Sequence, residues 1–143
     1  MCIPGVKVSK LSQIFVLTMV ISTILCDKER RLQIGIKKRL KDCDLRTKKG
    51  DFLHVHYKGM FETEDEFDNS YIRNQPFTFT LGQGQVIKGW DQGLIGMCIG
   101  EIRKLVVPPH LGYGEKGVPP TIPPESTLIF HIELLNIEER DEL

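Results

Sequence analysis

A charge imbalance, a long apolar run and closely spaced cysteines are all missing from this sequence. Nineteen basic and nineteen acidic residues cancel over 143 positions, so the chain as a whole has no field to draw nucleic acid or an anionic membrane. The one local excess, Lys28 to Lys41, reads as a solvated strand face, because Leu32, Ile34 and Ile36 alternate with the charges at the strand period. No C-x-x-C pair occurs, so the spacing that lowers a thiol pKa for redox work is absent. The stretch LGQGQVI lacks the third glycine of a dinucleotide turn, and no strand-helix-strand unit follows it. The acidic cluster Glu62, Glu64, Asp65, Glu66 and Asp68 has no glycine at the sharp turn a calcium loop requires and reads as an exposed hairpin turn. His54 and His56 share a strand face without a third ligand nearby, which favours a solvated face over a metal site. Ser70, the histidines and the cysteines show no spacing that implies a nucleophile with its base. No metal and no cofactor is expected, and no internal repeat is present.

What is there begins at the two ends. Lys7 and Lys10 precede LSQIFVLTMVISTIL, a run of about fifteen uncharged residues that ends at Cys26 and the charged DKERR. A basic start, a short apolar core and an abrupt polar boundary predict a secretory leader over residues 1–26, cut near Cys26. The run is too short for a comfortable membrane span, so no lasting insertion is expected after cleavage, with an uncleaved anchor as the alternative. At the other end, RDEL, Arg140 to Leu143, resembles the four-residue address read by a retrieval receptor of the secretory pathway. Together the ends predict a soluble resident of the endoplasmic reticulum lumen, with residues 27–139 as one domain.

Cysteine usage fits that compartment. Cys2 and Cys26 fall in the leader or at its edge, leaving Cys43 and Cys98 as the thiols that survive processing under oxidising conditions. A single bridge between them is expected, with a redox dithiol as the disfavoured alternative. Closing that interval would stabilise the fold by about 4 kcal/mol on a chain-entropy treatment.

Apolar alternation marks about five strands, in RLQIGIKK, FLHVHY, FTFTL, IRKLVV and TLIFHIELLNI. One segment looks helical, from about Val86 to Gly96, with Ile87, Trp90 and Leu94 on one side. These elements predict an α+β domain, an antiparallel sheet on one short helix. Between Pro108 and Ser126 the chain is too rich in Pro and Gly for regular structure, and a long irregular connection in a small domain is usually functional. Six rings come from different segments: Tyr57, Phe67, Phe77, Trp90, Tyr113 and Phe130. Singly, each reads as core.

Taken together they match a pattern. VHYKGMFETEDEFDNS, QPFTFTLGQGQVIKGWDQGLIGM, HLGYGEKG and IPPESTLIFHIELL, in this register, resemble the FKBP family of macrolide-binding peptidyl-prolyl isomerases, from about Arg31 to Glu139. The leader, the cysteine pair and the RDEL end are most similar to its small single-domain members of the endoplasmic reticulum. The resemblance implies a curved antiparallel sheet around a short helix with a ligand hollow between them. It implies Trp90 as the floor and Tyr57, Phe67 and Phe130 as walls, with Phe77, Val86 and Ile87 along one side and Ile122 as a further ligand contact. It also implies ligand hydrogen bonds from the Ile87 N–H and the Tyr113 hydroxyl, Asp68 taking a polar ligand group and pairing with ligand-contacting Arg73, and Gly89 and Gly93 letting the helix lie close to the sheet. Proline-containing unfolded or nascent secretory polypeptides and macrolides are the implied partners of a monomer that binds no nucleic acid. A lumenal chaperone or scaffold using the same hollow without catalysis is the alternative. Val118, Thr121 and Gln85 depart from the family's cytosolic archetype at the rim, which puts loop contacts in question but not the aromatic floor.

Overall fold

Alternation along FLHVHYKGMF buries Leu53, Val55, Tyr57 and Gly59 on one side and leaves Phe52, His54, His56 and Lys58 on the other. The computed structural model describes residues 30–139. The expected leader, with Cys2 and Cys26, and the RDEL end lie outside the described residues.

Among the described residues, six strands and one α-helix run in the order β1 (Gln33–Lys38), β2 (Phe52–Phe61), β3 (Glu66–Asn69), β4 (Phe77–Thr80), α1 (Lys88–Gly93), β5 (Ile102–Val107) and β6 (Leu128–Glu138). All pairings are antiparallel, and the unclosed sheet has the order β1-β5-β6-β2-β3, with β4 also on β2. The expected α+β architecture is therefore the observed one. Five strands coincide with the alternating segments; the sixth, β3, falls inside the acidic cluster. There Glu62 to Asp65 make the hairpin turn, while Glu66 to Asp68 return as a strand along Lys58 to Met60.

The core lies between the sheet and α1. Leu53, Val55, Leu105, Val107, Leu128, Ile132 and Leu134 are fully buried there with Leu94 and Met97; each such aliphatic side chain contributes about 1.5–3 kcal/mol. The helix is shorter than the apolar spacing predicts, and its own sequence accounts for that. Six residues with two glycines and no side-chain N-cap would not hold a helix in water. Packing holds it instead. A Cβ on Gly89 would lie 2.6 Å from Val107 Cγ1, and one on Gly93 2.8 Å from Leu105, so only glycine lets this backbone rest on β5. The Arg103 guanidinium donates to the carbonyls of Gly93 at 2.9 Å and Ile95 at 2.7 Å, closing the end of the helix. Its charge is matched by buried Glu101 at 2.5 Å.

Cys43 and Cys98 form the expected disulfide, with Cα atoms 6.0 Å apart. It ties the segment before β2 to the loop after α1, where the Thr47 N–H also donates to the Met97 carbonyl at 2.9 Å. The long connection holds a single 3-10 turn at Pro109–Leu111 and a bridge between Val118 and Ile122, and is otherwise irregular. β1 is an edge strand with both faces solvated: Ile34 and Ile36 stay exposed, and only neighbouring Leu32 packs on the core.

Candidate functional site

A hollow of about 180 Å³ opens between β2, β4, β6 and the start of α1, lined by Tyr57, Phe77, Gln85, Val86, Ile87, Trp90, Tyr113 and Phe130. A larger and more open depression of about 820 Å³ lies on the opposite sheet face. Size does not decide between them; the smaller hollow is the one whose walls are mostly rings.

Trp90 sits in the middle of that arrangement. Its indole is buried, with Tyr57 at 5.1 Å and 79°, Phe130 at 5.3 Å and 90°, and Phe77 at 5.9 Å and 84°. Three rings thus stand edge-on to one plane, the geometry that the quadrupole of an aromatic ring favours. Phe79 supports it from within the core at 5.7 Å. The indole N–H is buried and finds no acceptor among the described residues.

Phe67 reaches the site by a backbone irregularity. Gly59 pairs with Asp68 and Met60 with Glu66, so Phe67 is the extra residue of a bulge. Its ring lies over Gly59 and meets Phe130 edge-on at 5.9 Å, behind the wall that the hollow itself presents. Beside it, Asp68 accepts hydrogen bonds from the Tyr57 hydroxyl and from Arg73. The Arg73 guanidinium also stands 5.8 Å from the Tyr57 ring centre.

These contacts fix charge states. Burial pushes the Asp68 carboxyl up, but the Tyr57 hydroxyl and the Arg73 guanidinium outweigh it and hold the group below the usual carboxylate range. Burial raises Tyr57, and its bond to Asp68 acts in the same direction. Tyr113 is raised by burial and by the Asp68 charge. Around neutrality the site therefore holds one carboxylate, locked behind the rings, and two neutral phenols.

Neither the Ile87 N–H nor the Tyr113 hydroxyl has an acceptor among the described residues, and both residues line the hollow. Ile87 marks the start of α1, with its carbonyl taken by the N–H groups of Trp90 and Asp91. The structure thus gathers Tyr57, Phe77, Val86, Ile87, Trp90, Tyr113 and Phe130 around one space, with Phe67, Asp68 and Arg73 directly behind. Ile122 does not join them; it is buried in the core cluster and pairs its backbone with Val118.

Sequence reading overlooks several residues that position the site. Gly59 leaves room for the Phe67 ring, and Arg103 with Glu101 seats the helix carrying Trp90. Asp91 holds the loop before α1 by accepting from the N–H groups of Gly82 at 2.8 Å and Gly84 at 3.0 Å. Gln85, expected only as a departure at the rim, accepts from the Thr80 N–H at 2.9 Å and anchors the rim to β4.

Comparison with known proteins agrees with this geometry. The profile of the FKBP-type peptidyl-prolyl cis-trans isomerase family matches residues 43–135. The chain is 62% identical over 115 residues to peptidyl-prolyl cis-trans isomerase FKBP2 of Mus musculus, covering 80% of this chain and 82% of that protein. Identity to FKBP2 of Homo sapiens is also 62%, with 80% and 81% covered. Peptidyl-prolyl cis-trans isomerase FPR2 of Saccharomyces cerevisiae is 48% identical over 128 residues, with 87% and 95% covered.

Proposed function

Since this chain belongs to the FKBP-type peptidyl-prolyl cis-trans isomerases, we propose that the ring-lined hollow is where it turns the X-Pro bond, by excluding water from it. The observation that carries this reading is the lining itself, which has three edge-on rings around Trp90 and no carboxylate, imidazole, thiol or amine.

Rotation about a peptide bond crosses a barrier of about 18–20 kcal/mol because resonance holds the amide planar, and an X-Pro bond takes tens of seconds to turn unaided. In the planar form the carbonyl oxygen carries partial negative charge and the nitrogen partial positive charge, both solvated in water. In the twisted form the lone pair returns to nitrogen and that charge separation fades. An apolar hollow therefore penalises the planar amide more than the rotated one, which is differential binding of the transition state. Each tenfold in rate needs about 1.4 kcal/mol, so four to six decades need roughly 5–8 kcal/mol. Desolvation, ring contacts on the proline and bonds from the Ile87 N–H and Tyr113 hydroxyl to substrate carbonyls are of that order together. The Asp68–Tyr57–Arg73 cluster holds the Tyr57 ring upright and keeps its hydroxyl out of the hollow.

In this reading macrolides such as tacrolimus and rapamycin occupy the same space, with Ile87 and Tyr113 donating to their carbonyls and Asp68 and Arg73 meeting their polar groups. The clients are unfolded or nascent secretory polypeptides in the endoplasmic reticulum lumen, where a monomer enters through residues 1–26 and is returned by a receptor for RDEL. The Cys43–Cys98 bridge suits that compartment. The test is the rate of cis-trans exchange of an Xaa-Pro peptide with and without rapamycin. Acceleration that rapamycin abolishes is expected; no acceleration, or acceleration that rapamycin leaves intact, contradicts the assignment.

A further inference from the structure

The sheet face turned away from α1 carries a row of cations. One register line runs straight across five strands: Gly35 opposite Lys104, Lys104 opposite His131, His131 opposite Lys58, and Lys58 opposite Asn69. Lys37, the extra residue where β1 slips its register, completes the group, and the charges of Lys104, Lys37 and Lys58 all act on His131. Lys104 and Lys58 stand on either side of His131, and like charges so placed disfavour its protonation. Here no carboxylate among the described residues lies within ion-pair distance of Lys37, Lys58 or Lys104.

Beside it lies the depression of about 820 Å³, lined by Lys58, Met60, Asn69, Tyr71, Ile72 and His131. Ile72 is 77% exposed and Tyr71 42% exposed, a surface apolar pair in a turn where solvent is free to reach them. Tyr71 is fixed rather than loose, stacked on His56 at 4.5 Å and donating to Glu133 at 2.7 Å.

We propose that this face is a second binding site, separate from the ring-lined hollow, for an acidic polypeptide segment that sets one or two carboxylates on Lys58, Lys104 and Lys37 and an apolar side chain against Ile72, Tyr71 and Met60. The neighbouring register lines decide for a short acidic motif over an extended polyanion. On one side Glu133 stands opposite Ile102 and His56; on the other Glu66 stands opposite Met60. Each lies one line away from the cations, so a phosphate backbone laid along the strands would meet a carboxylate in either direction. A discrete carboxylate fits between them, and the apolar wall gives its neighbour a place to bury. Burial, with the three lysines, already holds His131 below the usual histidine value, and an anion set among those lysines would lift it. That makes the imidazole a reporter of occupancy.

The test is NMR on the whole chain titrated with acetyl-Glu-Leu-Asp-Glu-amide, with its Gln/Asn twin, and with phosphatidylserine vesicles. The acidic peptide is expected to shift Lys58, Met60, Ile72 and His131 resonances and to raise the His131 pKa, while the twin does neither. Lys58→Glu with Lys104→Glu should weaken that binding about tenfold or more and leave Xaa-Pro isomerisation unchanged, which also shows that the variant is folded. Should the double variant fail to fold, the His131 titration in the unsubstituted chain still decides. Equal binding of the twin, perturbations confined to another face, an unmoved His131 titration, or binding of vesicles without the peptide would overturn the proposal.

Discussion

The Phe67 ring occupies the space that a side chain on Gly59 would need: a Cβ built there would lie 2.6 Å from Phe67 Cζ and 3.1 Å from Phe130 Cε1. Backbone and ring are thus matched one to one at the bulge, and the wall of the hollow depends on a residue that never touches a guest. Gly59→Ala is expected to displace Phe67 and lower kcat/KM about tenfold, the equivalent of about 1.4 kcal/mol, while its φ imposes no further strain. Phe67→Ala should lower it by a similar factor, and the double variant by little more than either alone, since both remove the same support behind Phe130. Cis-trans exchange rates of the three proteins check this.

Trp90 separates stability from turnover. Truncation to Ala removes a buried ring system and should destabilise by about 3–5 kcal/mol. Trp90→Phe keeps an aromatic floor and discards the buried indole N–H that has no acceptor among the described residues, so its stability loss should be markedly smaller even though the floor is narrower. Denaturant midpoints beside kcat/KM values test the contrast.

Asp68 should serve ligand binding and acid tolerance more than turnover. Its folded pKa lies below the value in the unfolded chain, so the unfolded state binds the proton first and stability rises with pH across that interval. The contribution is complete above the ordinary carboxylate pKa of about 3.9 and fades as the pH falls through the folded value. Asp68→Val is expected to flatten that acid limb and to weaken macrolide binding more than it slows catalysis; thermal melts between pH 2 and 7 and paired affinity and rate measurements show it.

His131 gives a second, distinct pH dependence. Its imidazole is held down by burial and by Lys104, Lys37 and Lys58, so the folded protein takes up the proton later than the unfolded one. Stability should be complete above the ordinary histidine pKa of about 6.5 and decline as the pH falls below it. His131→Gln should remove that decline without altering isomerisation, as read from melting temperatures at pH 5 and 7.

The Cys43–Cys98 bridge closes a separation of 55 residues, and losing it should lower the unfolding free energy by about 4 kcal/mol. Cys43→Ser with Cys98→Ser, compared with the parent in urea, measures the difference. Isomerase activity at low temperature should survive, because neither sulfur lies in the hollow.

The strands that alternate cleanly, such as Leu128 to Leu134, were legible because burial on one face writes a period of two into the residues. β3 was not. Three of its four residues, Glu66, Asp68 and Asn69, have poor strand propensity, and pairing with β2 makes the stretch a strand. The rings were individually indistinguishable from core, and Phe79 and Trp90 show why: both are buried, yet only one lines the hollow. Their grouping was legible through family resemblance and not through periodicity. Gly59, Glu101 and Arg103 were beyond reach because their roles arise from a bulge and from contacts across the sheet, which spacing along the chain does not encode.

In the proposed mechanism an apolar hollow, and not proton transfer, promotes rotation. Asp68 is held below its ordinary range, and Tyr57 and Tyr113 above theirs, so no group around the hollow changes charge between about pH 6 and 9. The most direct measurement is kcat/KM for an Xaa-Pro peptide across that interval in H2O and D2O. A flat profile with a solvent isotope ratio of about one is predicted; a bell-shaped profile, or a ratio of about two or more, would contradict it.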